Sequence, residues 1–248
     1  MQPSDIALCA AVLVVSFFYS SVGHAGASGY LAVMALASVA PETMRPAALV
    51  LNLFVATIAT FRFRRAGFFS WRLLWPFALG SIPLAFIGGG IVLPGTWYKR
   101  LVGAALLIAA ARLMVSDTRP EPPAGERSEP PVLPAILLGA VIGLLAGLTG
   151  TGGGIFLSPI LLFSGWAGAR QSGGVSAAFI LVNSAAGLLG NLGSLQLLPD
   201  GMPLWVAVVV LGGMLGTELG TRRVATTTFR RMLGAVLLIA GVKLILLV

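Results

Sequence analysis

Ten apolar stretches, each parted from the next by a few polar or glycine-rich residues, set the pattern of the chain. They run over Ile6–Val22, Tyr30–Val39, Ala47–Phe61, Leu73–Val92 and Leu101–Val115, then over Val132–Leu148, Ile155–Trp166, Val175–Leu192, Leu204–Leu219 and Met232–Val248. The runs are rich in Leu and Ala and lack the strict alternation of strands, so the pattern predicts helices throughout. Runs two and seven are short, with about 10–12 strongly apolar residues against roughly 20 for a spanning helix. They read either as half-helices completed by an extended glycine-rich stretch or as re-entrant hairpins, which leaves ten or eight full crossings. A hairpin at these two places is expected to undo any inversion between the halves.

Runs five and six are separated by DTRPEPPAGERSEPPVLP, Asp117–Pro134, whose prolines and mixed charges mark a solvated linker. The organisation is therefore a first membrane repeat over 1–116, a polar cytoplasmic linker over 117–131 and a second membrane repeat over 132–248. Tyr98–Val115 aligns without gaps on Phe229–Leu246, with eight identities in eighteen positions. GHAGASGYL, Gly23–Leu31, corresponds to GLTGTGGGI, Gly147–Ile155, and LNLFVA, Leu51–Ala56, to VNSAAG, Val182–Gly187, so that Asn52 matches Asn183. These matches indicate an internal duplication.

Composition supplies the solvent. The chain is 57% hydrophobic and 10% charged, with a mean hydropathy of +0.97, whereas soluble domains carry about 25% charged residues. An integral membrane protein is the reading, all-α and polytopic, of the multi-pass bacterial inner-membrane type. The net charge of +8 does not indicate nucleic acid, because the arginines fall between apolar runs, where they act as topology signals. The single Cys9 excludes a disulfide or zinc site within one chain. No Lys or Arg precedes the first run, which reads as a retained helix rather than a signal peptide.

Charge also orients the halves. Arg62, Arg64, Arg65 and Arg72 lie between runs three and four, and the matching gap between runs eight and nine has no base. The next gap holds Arg222, Arg223, Arg230 and Arg231, against Lys99 and Arg100 in its counterpart. Inverted repeats gather all the arginine-rich gaps and the linker on one side, the cytoplasmic one, with both termini outside. Gly139, Gly143 and Gly147, and likewise Gly212, Gly216 and Gly220, recur every fourth residue and read as helix-packing stripes.

The candidate chemistry lies in the two glycine clusters. Irregular backbone at membrane depth survives only where protein or a water-filled cavity covers it. A glycine run ahead of a short helix leaves N–H groups free at the positive end of the helix dipole, a setting suited to an anion. Two such breaks, related by the repeat, match the broken-helix sites of secondary transporters. The candidate substrate residues are Gly23, His24, Gly26, Ser28 and Gly29 in the first cluster, and Thr149, Gly150, Thr151, Gly152, Gly153 and Gly154 in the second. Asn52 and Asn183 join them as amides within apolar runs, with Ser176 two turns before Asn183. The alternative for the glycines is tight turning and close packing, and for the asparagines it is helix–helix hydrogen bonding. His24, the single histidine, is the one side chain that titrates near neutral pH. Glu218, the one acid within an apolar run, is placed to be neutralised by Arg222 four residues on. Arg45 and Arg170 precede runs three and eight and read as interfacial anchors or as guides for an anion. The sequence holds no carboxylate pair, HExxH, P-loop or Cys/His cluster, which argues against an enzyme or an ATP-driven pump. No cofactor or metal is expected.

TGTGGGIFLSPIL in the second half and SSVGHAGASGYLAVMAL in the first resemble the sulfite exporter TauE/SafE family, as do ALVLNLFVA and the linker between duplicated halves. The first motif is a degenerate copy: the usual proline after the glycines is missing, with Met34 or Ala35 near its place. The resemblance implies a small organosulfur or carboxylate anion as substrate, such as sulfite or a sulfonate. The expected function is a secondary transporter working by alternating access, its partners the lipid bilayer, the anion and a coupling proton or cation. A passive anion channel and a non-transporting membrane scaffold are the alternatives. Direction of transport and oligomeric state carry no sequence signal.

Overall fold

The computed structural model describes residues 3–21, 23–114, 128–222 and 227–246, all helix and connecting turn with no strand among them. Residues 115–127, most of the expected linker, lie outside the described residues, as does Arg223. The first half comprises α1 (Pro3–Ser21), α2 (Ala27–Leu36), α3 (Pro41–Arg65), α4 (Trp71–Gly90) and α5 (Gly95–Met114). The second comprises α6 (Val132–Thr149), α7 (Gly154–Phe163), α8 (Ala169–Leu189), a 3-10 turn (Leu192–Leu197), α9 (Met202–Arg222) and α10 (Thr227–Leu246). Helices α3, α4, α6, α8 and α9 are long and apolar enough to cross a membrane. At ten residues each, α2 and α7 rise about 15 Å, half a hydrocarbon core of about 30 Å. Large apolar side chains such as Phe61, Leu79, Phe86, Leu137, Val141 and Leu215 face outward along these helices. So much exposed apolar surface suits lipid, not water.

Packing joins the halves rather than separating them. A Cβ on Gly212, Gly216 or Gly220 of α9 would lie 2.0 to 2.8 Å from backbone atoms of Leu13, Phe17 or Ser21, so α1 and α9 run parallel in backbone contact. On α6, Gly139, Gly143 and Gly147 meet Phe77, Ser81 and Ala85 of α4 in the same way. Both glycine stripes are therefore packing surfaces. Helices α3 and α8 cross antiparallel: Gly174 lies on Phe63 and Phe68, Ser184 on Asn52, and Gly187 on Leu49. So do α5 and α10, where Gly103 meets Gly241 and Ile245. Exchanging each helix with the one five places on turns the α1–α9 contact into α6–α4, α3–α9 into α8–α4 and α2–α10 into α7–α5, and all of these occur. Antiparallel contact between matched helices is the geometry an inverted duplication requires.

The short helices turn back. Ser28 of α2 donates to the Tyr19 hydroxyl at 3.1 Å, and a Cβ on Gly29 would strike Val15, so α2 returns along α1. Along α8, Gly154 of α7 faces Ile180 and Ser158 faces Ser172, so α7 runs opposite to α8. Each short helix turns the chain back, so each half holds five segments that alternate in direction.

Arg62, Arg64, Arg65, Arg72, Arg170 and Arg222 gather at the end of the bundle where α3 and α9 finish and α4 and α8 start. This is the basic end, and the opposite one is the far end. Here Glu218 pairs with Arg222, as its spacing predicts, and also with Arg62 at 2.8 Å. The Glu218 side chain is 48% exposed, and pairs of this kind contribute about 0–1 kcal/mol. Glu218→Gln should lower the melting temperature in detergent by only about 1–3 °C, measured by thermal unfolding.

Candidate functional site

The two breaks share two left-handed glycines three residues apart, and the second adds a third at Gly152, whose counterpart Ala25 is not left-handed. Gly23 and Gly26 have φ of 78° and 100°, Gly150 and Gly153 have 83° and 80°, and in each loop the second glycine precedes a ten-residue helix. The loops therefore correspond with Gly23 matched to Gly150 and Gly26 to Gly153. This register is three residues away from the sequence match of Gly23 to Gly147. In it, Pro159 stands opposite Ala32, not Met34 or Ala35.

The second loop carries several unclaimed donors. No side chain caps α7. Among the described residues no carbonyl or side chain takes up the amides of Gly152, Gly153, Gly154 or Ile155. Gly152 is wedged between α3 and α8. A Cβ there would lie 2.8 Å from Ile180, 2.9 Å from the Asn52 amide nitrogen and 2.9 Å from the Ser184 hydroxyl. Asn52 is fully buried and donates to Ser184 at 3.2 Å. Its Oδ1 has no partner, nor do the Oδ1 of Asn183 and the hydroxyls of Ser176 and Ser20, all buried. Unsatisfied buried polar atoms cost about 1–3 kcal/mol each, so their concentration along α1, α3 and α8 marks polar ground inside an apolar bundle. Asn183 spends its own donor on Phe179 of its helix at 2.9 Å.

The other predicted residues divide by what they touch. Thr149 donates to Leu145 at 2.7 Å, and Thr151 lies 2.9 Å from the Thr149 hydroxyl. The Thr151 hydroxyl is then the donor of that pair, and both protons are spent on holding the loop. Ser28 and Gly29 face α1. Gly23 lies against the backbone of Gly173 on α8, and His24 is buried in the same loop. Above Gly26, Tyr30 folds back and donates to Ala25 at 2.6 Å. Measured along α8, Gly23 sits at Gly173 and Gly152 between Ile180 and Ser184, a stagger of about 10–16 Å at 1.5 Å per residue. The loops enter from opposite ends and reach different depths.

Sequence reasoning missed four contributors. Tyr98 donates to the Thr149 carbonyl at 3.1 Å and ties α5 to the second loop. Ser184, next to Asn183, is the residue that faces Asn52. Arg112 of α5 donates to Ser158 in α7 at 2.8 Å, and Ser158 lies 3.0 Å from Ser172. Lys243 of α10 donates to the carbonyls of Ala35 and Leu36 and to Ser38, at 2.9 to 3.1 Å, at the end of α2. Arg112 and Lys243 occupy the same position of the Tyr98–Val115 and Phe229–Leu246 match. That coincidence of two bases inside apolar runs was the available signal. Among the described residues no cluster of His, Cys, Asp or Glu could hold a metal.

Comparison with known proteins agrees with this architecture. The sulfite exporter TauE/SafE family matches residues 8–244. A Sinorhizobium fredii (strain NBRC 101917 / NGR234) protein named "Probable membrane transporter protein y4hK" is 38% identical over 246 residues, covering 99% of this chain and 100% of the relative. No solved structure matches.

Proposed function

Because this chain belongs to the sulfite exporter TauE/SafE family and is a multi-pass membrane transporter of that type, we propose that it is a secondary carrier of a small oxyanion, sulfite or a sulfonate. The anion is held at the start of α7. The observation that carries this reading is the row of unclaimed amides from Gly152 to Ile155, with the Asn52 and Ser184 donors packed beside Gly152. Amides at a helix start supply both hydrogen bonds and the positive end of the dipole, and a buried site makes that field stronger. No carboxylate lies among these groups to oppose an anion.

In this conformation the space a side chain at position 152 would need is filled by Ile180, Asn52 and Ser184. Entry then requires α3 and α8 to part from the loop, which is the motion of alternating access. The staggered loops, one hairpin from each end, suit a carrier in which opening toward one side closes the other. Purified protein in liposomes should take up labelled sulfite with a saturable rate and accelerate when unlabelled sulfite is trapped inside. Large non-saturating currents would make it a pore. No flux and no binding of any small oxyanion would leave a scaffold and remove the proposal.

A further inference from the structure

Arg45 is the fifth residue of α3 and only 8% exposed. One guanidinium nitrogen donates to the Ile91 carbonyl, just past the end of α4, at 2.7 Å. Arg45 makes no ion pair among the described residues, and Glu42, one turn earlier, is exposed and unpaired with it. A buried guanidinium without a counter-charge is costly inside a membrane protein, and such groups mark ion or substrate pathways.

Arg45 borders a cleft of about 300 Å³ at the far end, shared with Glu42, Tyr98, Asn191, Ser194 and Gln196. Water occupies about 30 Å³ per molecule in the liquid, so the cleft has room for a small oxyanion with part of its hydration. Its floor is joined to the second glycine loop. A Cβ on Gly150 would lie 3.1 Å from the Arg45 stem, and Tyr98 holds the Thr149 carbonyl.

We infer that this cleft is a second anion site, a reception site at the far end in which a small sulfonate or sulfate-like oxyanion lands on the Arg45 guanidinium before reaching the start of α7. The inference rests on the carrier reading above and extends it. Glu42, exposed at the rim, opposes the anion, and among the described residues no charged side chain besides Arg45 and Glu42 lines the cleft. Because the Arg45 stem and backbone lie beside Gly150, an anion held by the guanidinium would be one residue away from the loop.

The test uses the full chain in detergent with Cys9 replaced by alanine and Gln196→Cys added. The new thiol is modified in parallel by an anionic sulfonatoethyl and a cationic trimethylammonioethyl methanethiosulfonate. With Arg45 present, the anionic-to-cationic rate ratio should exceed that of Arg45→Gln by about tenfold, a size typical of charge steering in a cleft. Arg45→Lys should keep the ratio within about threefold of the Arg45 protein. Sulfate should slow the anionic reagent only while residue 45 is basic. Equal ratios with Arg45 and Gln, or a fall in Lys as deep as in Gln, overturn the inference. Should Arg45→Gln not fold, an absence of sulfate protection in the Arg45 protein overturns it alone. The thiol reaction needs no transport, so a normal ratio without uptake defeats the carrier reading, and normal uptake with equal ratios defeats only the reception site.

Discussion

Gly152→Ala is expected to cut the initial rate of sulfite uptake in proteoliposomes at least a hundredfold. Two effects coincide at this position. Its φ of 71° is left-handed, which costs a residue with a Cβ about 1–2 kcal/mol. The added methyl also meets Ile180, Asn52 and Ser184 at 2.8 to 2.9 Å, distances that force those side chains to shift. Strain alone is separable from crowding through Gly67, whose φ is 79° but around which a Cβ meets nothing within 4 Å. Gly67→Ala should lose about 1–2 kcal/mol of stability and keep its uptake rate. Gly152→Ala should still fold, with a larger fall in melting temperature than Gly67→Ala because crowding adds to the strain, yet transport almost nothing. Uptake by Gly152→Ala at the unmodified rate would remove the start of α7 from the substrate path.

A large loss of stability is expected at Gly143, in the seam between α4 and α6. A Cβ there would lie 2.2 Å from the Ser81 carbonyl oxygen and 2.5 Å from its Cα. Both are backbone atoms of a helix, so no side chain can turn aside. The neighbouring contacts of Gly80, Gly139 and Gly147 hold the two axes at the same close separation. Gly143→Leu must therefore push the helices apart along their length and forfeit that packing. Overpacking typically costs about 1–3 kcal/mol, and more where the neighbour cannot yield. We expect a loss of about 3 kcal/mol or more, a fall of roughly 6–12 °C in melting temperature for a chain of this size. Gly201→Ala, whose nearest neighbour is Trp205 at 3.8 Å, is the matched control and should melt within about 1 °C of the parent. A Gly143→Leu protein as stable as that control would mean that the seam is not closed in the membrane.

The helices were legible in the chain because lipid imposes a strong signal: long apolar runs with charges swept to their ends. The two short runs stood out by length alone, and the four-residue glycine stripes announced their packing role. The neutralisation of Glu218 followed from its spacing to Arg222. What failed to show were relations of depth and direction. Glycine-rich windows match one another in several registers, so GHAGASGYL found a partner three residues from its structural one. Only the left-handed glycines and the starts of α2 and α7 fix the correct pairing. The Asn52–Ser184 contact joins residues 132 apart in sequence, and Ser184 is hidden beside the more conspicuous Asn183. The threonines drew attention as donors, yet their protons are spent inside the loop, a fact that depends on rotamers. Hairpin direction was equally silent, since a half-length apolar run reads the same whether the chain continues or doubles back.

Arg112 and Lys243 carry a consequence for how the two halves of the chain depend on each other. Each is contributed by the last helix of one half and spent on the short helix of the other. A polypeptide ending after α5 would leave the Ala35 and Leu36 carbonyls and Ser38 without their ammonium, while its own guanidinium would lack Ser158. The arrangement is reciprocal but no longer interchangeable, because one cation grips a helix end and the other a hydroxyl midway along. Neither half of the chain therefore closes its own hydrogen bonds: each supplies the cation that the short helix of the other requires.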